Sequence, residues 1–195
     1  LAPLATTVKS DLGLTVGQIR TVAICNVALT IPARVLIGML LDKFGPRITY
    51  SSILVFSAIP CLLFASAQDF NQLVVARLLL SIVGAGFVIG IRMVAEWFPP
   101  KEIGLAEGIY GGWGNFGSAF SALTMVALAG FLSFSGGFEL PTGAVLNWRG
   151  AIALTGIVSA VYGLFYFFNV TDTPPGKTYQ RLSLIHISEP TRLVS

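Results

Sequence analysis

The sequence has 195 residues, of which 54% are hydrophobic and 11% are charged, with a mean hydropathy of +0.80. Soluble domains carry about 25% charged residues, so this composition excludes an ordinary soluble protein and predicts an integral membrane protein. The net charge of +3 comes from basic residues that are not clustered. We therefore expect no nucleic-acid partner, because basic residues of membrane proteins normally accumulate in cytoplasmic loops.

A transmembrane helix needs about 20 mostly apolar residues. Five segments meet this requirement, at about residues 17–41, 48–67, 73–97, 104–132 and 150–170. Residues 1–7 are interpreted as the end of an earlier span, so we expect a fragment whose incomplete bundle occupies residues 1–171. The loops at 42–47 and 99–102 and the segment after Asn169 hold more lysine and arginine than the opposite loops, which predicts that they are cytoplasmic.

The first complete span carries Arg34 well inside the membrane, where a charge costs about 2.5–3.5 kcal/mol and usually faces a cavity or a partner. Thr30, Arg34 and Gly38 follow one another at a spacing of four residues, which places them on one face of a helix. Because the spans contain no carboxylate at mid-membrane depth, we interpret Arg34 as an anion-binding residue. The alternative is an ion pair with a helix outside this sequence.

The prolines and the other arginines of the spans are expected to have structural roles and not to bind a solute. Pro32 and Pro60 are expected to kink or unwind their helices. On the third span, Arg77 is close enough to the outer end to extend toward it, and Arg92 lies one turn before Glu96, with which it is expected to pair.

The fourth span contains the glycine-rich stretch Gly108–Ser118. At about 100° per residue, several small residues and one amide fall within roughly 40° of a single line: Gly104, Gly108, Gly111, Asn115, Ser118 and Ala122. Small residues spaced by four allow helices to approach closely. Close approach is also expected on other sides of this helix, because three further glycines lie off the line: Gly112, Gly114 and Gly117. The residues leave two interpretations open, a packing helix with a satisfied asparagine or a surface that binds a solute.

The sequence contains no Ser/His/Asp arrangement, nucleotide-binding loop or metal motif, so we predict no enzyme, no catalytic residue, no metal and no cofactor. Cys25 and Cys61 lie in apolar runs and are interpreted as small buried side chains. Leu182–Arg192 resembles the direct translation of a transposase-based sequencing-library adapter. Residues 182–195 are therefore expected to be a disordered artefact, and residues 172–181 the start of a cytoplasmic linker.

Two motifs resemble a known family. The residues Gly38, Asp42, Lys43, Gly45 and Arg47 match the loop between the second and third helices of the major facilitator superfamily. Its implied role is a cytoplasmic latch, in which Gly38 permits tight packing, Gly45 and Pro46 make the turn, and Asp42 caps a helix or pairs with the opposite half.

The second motif, Gly111-Gly112-Trp113-Gly114-Asn115-Phe116-Gly117, resembles the nitrate signature in the fifth helix of the nitrate/nitrite porter family of that superfamily. Arg34 matches the second-helix arginine with which members of the family hold nitrate. The resemblance implies that Arg34, Asn115, Gly111, Gly112 and Gly114 bind substrate, and that Gly108 and Gly117 have structural or gating roles. In the family, a second arginine and a second signature helix come from the C-terminal half.

The resemblance implies an all-α membrane protein that is a partial N-terminal six-helix half of such a transporter, with the end of helix 1 and helices 2–6. The implied function is secondary active transport of nitrate and/or nitrite across the cell membrane by alternating access. Its partners would be the anion, the lipid bilayer and the missing C-terminal half. Two alternatives remain, a carrier for another small anion and a membrane sensor of the same fold that does not transport.

Overall fold

The structure is a computed structural model that describes residues 4–136, 138–139 and 145–176. Its helices are α1 (Ala5–Asp11), α2 (Val16–Ala28), α3 (Thr30–Phe44), α4 (Pro46–Phe56), α5 (Ala58–Ser66), α6 (Phe70–Val83), α7 (Gly86–Trp97), α8 (Ile103–Phe131) and α9 (Trp148–Asn169). A 3-10 turn over Leu132–Ser135 follows α8, and β1 (Phe138–Glu139) pairs antiparallel with β2 (Val145–Leu146). The predictions for residues 177–195, including the adapter-like segment, lie outside the described residues.

The described helices form five segments that are long and apolar enough to cross a membrane, with mean hydropathies between 1.6 and 2.3. They run over Val16–Phe44, Pro46–Ser66, Phe70–Trp97, Ile103–Phe134 and Trp148–Asn169. The expectation of an all-α membrane protein is confirmed, and the short strand pair between α8 and α9 is the only departure from it in the described part of the chain.

Three of the five segments are broken near their middle. The breaks lie at Leu29, between α2 and α3, at Ser57, between α4 and α5, and at Gly84–Ala85, between α6 and α7. Pro32 and Pro60 each lie three residues after a break, as expected because proline lacks an N–H and its ring clashes with the carbonyl four residues earlier. The third break has no proline. Its backbone tightens into a turn whose hydrogen bonds span three residues instead of four, from Gly84 N to Ser81 O and from Ala85 N to Ile82 O.

Two buried clusters hold the helices together. The larger includes Phe64, whose ring lies edge-on to the buried Trp148 at a centroid distance of 6.0 Å. The smaller joins α3, α4 and α7 through Ile37, Ile53 and Ile89. Large apolar side chains elsewhere are exposed along the helices, which is the surface expected of a bundle that contacts lipid.

Polar contacts mark the two ends of the bundle. At one end, Arg149 Nη2 donates to Asp11 Oδ2 at 3.2 Å, and Arg149 Nη1 donates to the carbonyl oxygens of Ala65 and Ala67 at the end of α5. At the other end, Arg47 contacts Asp172. The loop at 42–47 and the segment after Asn169 therefore lie at the same end of the bundle.

Candidate functional site

Arg34 lies on the open side of α3, just beyond the break at Leu29. The packed face of α3 consists of Ala33, Ile37 and Leu41, which recur every four residues and are buried. Arg34 is rotated by about 100° from Ala33, and its side chain is exposed. In the described part of the chain it forms no ion pair, so its charge is directed toward the surface of this bundle and not into its core.

The signature helix α8 also has an open face. Asn115 is exposed, and its amide Nδ2 donates to the carbonyl oxygen of Gly111 one turn earlier, at 3.1 Å. Apart from its chain neighbours and the nearby backbone of α8 itself, a Cβ atom built on these glycines would have no described atom within 4 Å, which holds for Gly104, Gly108, Gly111, Gly112, Gly114 and Gly117. The close helix contact expected at these glycines is thus not made by any described residue.

Arg34 and Asn115 each lie far from the ends of their spans. Arg34 is about 15 Å from the end of α3 at Phe44, and Asn115 is about 18 Å from the start of α8 at Ile103, at a rise of about 1.5 Å per residue. Both distances are measured from the end of the bundle that holds Arg47 and Asp172. No hydrogen bond among the described residues joins the two side chains.

A second face of α8 carries aromatic side chains. Trp113 stacks on Phe116 at a centroid distance of 5.4 Å, and Phe116 stacks on Phe120 at 5.8 Å. Trp113 is 74% exposed. The angular spacing places this ladder away from Asn115, so α8 presents an aromatic surface and a small polar surface on different sides.

The loop of the motif that begins at Gly38 contacts the end of α9 and the segment after it. Gly45 has a φ of 85°, which favours glycine, and Pro46 occupies the first turn of α4. The backbone N–H of Arg47 donates to Asp172 Oδ1 at 2.8 Å, and its Nε donates to Phe167 O at 2.6 Å. The guanidinium also lies 4.6 Å from the centroid of the Phe167 ring.

Gly45 also leaves room for the Asp172 carboxylate, since a Cβ there would lie 2.8 Å from Asp172 Oδ1. Asp42 is partly buried and Lys43 exposed, and neither forms an ion pair in the described chain. A Cβ at Gly38 would have open space around it. Sequence reasoning gave Asp172 no role, because its contact with Arg47 spans 125 positions and leaves no local pattern.

The other charged residues of the spans behave differently from Arg34. Arg92 Nη2 pairs with Glu96 Oε1 at 3.0 Å, as expected. Arg77 is partly buried, and its Nε is a buried atom without a hydrogen-bond partner among the described residues. Of these arginines, Arg34 alone is exposed in the described part of a span and far from its ends.

Comparison with known proteins gives the family. The model of the Major Facilitator Superfamily matches residues 1–190. The chain belongs to the Major Facilitator Superfamily. Among its relatives in this superfamily, the chain is 62% identical to the nitrate/nitrite transporter NrtP of Picosynechococcus sp., over 92% of this chain and 36% of that protein. It is 59% identical to NrtP of Nostoc punctiforme, over 92% of this chain and 35% of that protein.

A more distant relative is the probable nitrate transporter NarT of Staphylococcus carnosus, with 30% identity over 86% of this chain and 39% of that protein. A crystal structure of a bacterial homolog of the human lysosomal transporter Spinster, in an inward-facing conformation, superposes with a TM-score of 0.68. It is 19% identical and covers 90% of this chain and 40% of its own, so it supports the fold alone.

The chain thus spans little more than a third of the length of the relatives it matches. Together with the five apolar segments, membership of this superfamily makes it part of a multi-pass protein of the cell membrane.

Proposed function

We propose that the complete protein is a secondary active transporter of nitrate and/or nitrite that works by alternating access, and that this chain contributes one half of the anion site. The observation that carries the proposal is the exposed Arg34, which lies far from the ends of its span and has no ion-pair partner among the described residues. The names of the NrtP relatives support the choice of anion.

The chemistry of Arg34 suits this anion. A guanidinium is planar, stays charged at any physiological pH and donates through a rigid fork, which matches two oxygens of a planar oxyanion. A lysine would supply a charge without that geometry. In the low dielectric of a membrane protein, an unpaired arginine is costly, and a bound anion would offset this cost.

We propose that Asn115, with the backbone at Gly111, Gly112 and Gly114, completes this half of the site. The glycines leave the α8 backbone accessible, so an anion can approach it more closely than larger side chains would permit. Asn115 supplies an amide with two N–H donors, of which one bonds to the Gly111 carbonyl and the other can donate to the anion.

The remaining motif residues are proposed to act in gating. Gly45 and Arg47 fasten the α3–α4 turn to the end of α9 through Asp172. Asp42 and Lys43 stay available to contact the C-terminal half, while Gly38, Gly108 and Gly117 leave space for closely packed helices. In this proposal residues 1–171 form an incomplete N-terminal bundle, and residues 172–181 begin the linker to the other half.

Substitution of Arg34 by lysine in the complete transporter tests the proposal. Replacing a bidentate, charge-assisted contact with a single charged donor removes one hydrogen bond to a charged group, worth about 1.5–3 kcal/mol. We expect the KM for labelled nitrate uptake to rise about tenfold to a hundredfold. The matched control is Arg20→Lys, an exposed arginine in α2 of the same span, for which we expect a change of about twofold or less.

This KM, together with carboxylate uptake and nitrate binding, separates the alternatives. An unchanged KM in Arg34→Lys would remove Arg34 from the site and with it the basis of the proposal. Preserved uptake of a small carboxylate, in a protein that does not take up nitrate, would favour the carrier for another anion. Binding of nitrate without uptake by the complete protein would favour the sensor.

A further inference from the structure

The breaks in the α2–α3 and α6–α7 spans lie side by side and are joined by two hydrogen bonds. The backbone N–H of Leu29 donates to Ser81 Oγ at 3.2 Å, and Thr30 Oγ1 donates to the carbonyl oxygen of Ser81 at 3.1 Å. Ser81 Oγ itself donates to Leu78 O at 2.7 Å. Ser81 is only 2% exposed, so these bonds are shielded from water. We call this pair of contacts the Ser81 clasp.

The clasp uses backbone groups that the breaks make available. Ser81 O accepts from Gly84 N in a tight turn and also from the Thr30 hydroxyl, while Leu29 lies at the interruption of its own span. Since unsatisfied backbone groups are costly in a membrane, each broken span satisfies groups of the other. A Cβ at Gly84 would lie 3.5 Å from Thr30 Oγ1, so the two breaks are already in close contact.

Thr30 is the first residue of α3, and Arg34 follows it by one turn. The clasp therefore holds α3 at its first residue, one turn before Arg34. A rotation of about 20° would move a group at the outer radius of a helix, about 5–6 Å from its axis, by about 2 Å. Binding sites generally tolerate about 0.5 Å of displacement, so a small change at Thr30 is large at the guanidinium.

We propose that Ser81 and Thr30 are positioning residues for Arg34, fixing the direction in which its guanidinium meets the transported anion. This inference rests on the proposed role of Arg34 as the anion ligand. Neither residue touches the anion. Their hydrogen bonds hold the start of α3 against α6, and loss of these bonds lets the arginine fork point away from the anion.

The test measures KM and maximal rate of nitrate uptake in the complete transporter, normalised to the amount of protein in the membrane. Ser81→Ala removes the hydroxyl that accepts from the Leu29 N–H, and Thr30→Val removes the hydroxyl that donates to Ser81 O with little change of shape. For each variant we expect KM to rise about fivefold to tenfold, with the maximal rate changed by about twofold or less. Thr30→Ser keeps the hydroxyl and should restore KM.

The matched control is Ser57→Ala. Ser57 is 4% exposed and lies at the break between α4 and α5, where its Oγ donates to Ser159 Oγ at 2.7 Å. It has the same chemistry at a break that carries no arginine, so its KM should stay unchanged. An equal rise of KM in Ser57→Ala and Ser81→Ala would show a general packing effect and overturn the proposal.

A double variant gives the decisive readout. If Ser81 acts through Arg34, adding Ser81→Ala to Arg34→Lys raises KM little further, because coupled substitutions are not additive. Additive effects overturn the inference, as does an unchanged KM in both clasp variants. Loss of both clasp variants from the membrane, while Ser57→Ala accumulates normally, assigns the clasp to folding and also overturns it. An unchanged KM in Arg34→Lys alone refutes the proposed function itself.

Discussion

Asp172 caps the start of α4 from a distant position in the sequence. Gly45 precedes this helix and has no side chain to cap it, and Pro46 provides no N–H. The N–H of Arg47 is satisfied instead by the carboxylate of Asp172, from the far end of the described chain. A negative charge at a helix N-terminus is also favourable for the helix dipole, so one side chain stabilises both the turn and the junction with α9.

We expect Asp172→Ala to loosen this turn, because it leaves a partly buried N–H without its acceptor, at a cost of about 1–3 kcal/mol. The measurement is the rate of tryptic cleavage after Lys43 and Arg47 in inside-out vesicles of the complete transporter. Cleavage should accelerate about tenfold, since local opening becomes more frequent.

Two controls accompany the Asp172 variant. Asp172→Asn keeps an oxygen acceptor and should lie between the wild type and Asp172→Ala. Asp69→Ala changes another carboxylate that caps no backbone group in the described structure, and it should leave the cleavage rate unchanged. Equal rates in Asp172→Ala and the wild type would show that the carboxylate does not hold the turn.

Single residues were predictable where the signal was local. Arg34 stood out because a charge within an apolar run is costly wherever the helices pack, and the Arg92–Glu96 pair followed from its spacing of one turn. Ser81 and Asp172 gave no such signal. Their partners are 52 and 125 positions away, and serine and aspartate are common outside such contacts, so only the folded arrangement of the spans reveals them.

Among the helices, the glycines of α8 and α9 differ in the space around them. A Cβ at Gly156 would lie 2.6 Å from Cys61 Cβ, and one at Gly163 would lie 2.8 Å from Leu54 Cβ and 3.1 Å from Ser51 O. These two glycines allow α9 to pack closely against α5 and α4. The glycines of the α8 stretch have open space instead.

Substitution of Gly163 by alanine should therefore destabilise the complete transporter. The added methyl group meets backbone as well as side chain, and overpacking of this kind costs about 1–3 kcal/mol. We expect a lower Tm in detergent than for the wild type. Gly17→Ala, at the exposed start of α2 where a Cβ would contact only Thr15 Oγ1 among the described atoms, at 3.9 Å, should leave Tm unchanged or raise it, because alanine favours the helix by about 1 kcal/mol. A common Tm for both variants would contradict the packing difference.

The helical type and the number of the membrane spans followed from hydropathy, since a span of about 20 apolar residues has few structural options in a membrane. The breaks at Leu29 and Ser57 were foreseeable from Pro32 and Pro60. The break at Gly84–Ala85 was not, because a glycine within an apolar helix does not by itself interrupt it. Likewise, the α8 pattern indicated close packing at its own glycines, whereas close contacts between described helices occur at Gly156 and Gly163 of α9 and at Gly90 of α7, which faces Tyr110 of α8.

For the molecule as a whole, the open surfaces of α3 and α8 coincide with the residues of the proposed site. Arg34 and Asn115 are both exposed, and the chain covers 36% of the length of its relative from Picosynechococcus. An anion held by one exposed arginine competes with water, whereas enclosure between two halves strengthens each contact by lowering the local dielectric. The proposed half-site therefore requires its counterpart for affinity as well as for alternating access.

Two consequences can be measured together. Residues 1–181 alone, reconstituted in vesicles, should take up labelled nitrate no faster than empty vesicles, whereas the complete transporter should take it up and lose affinity through Arg34→Lys. Repeats in transporters of this kind are related by pseudo-symmetry, so the remainder of the complete protein should contain a second intramembrane arginine and a second helix rich in glycine and asparagine. Uptake by residues 1–181 would refute the need for two halves, and a remainder without those residues would refute the paired anion site.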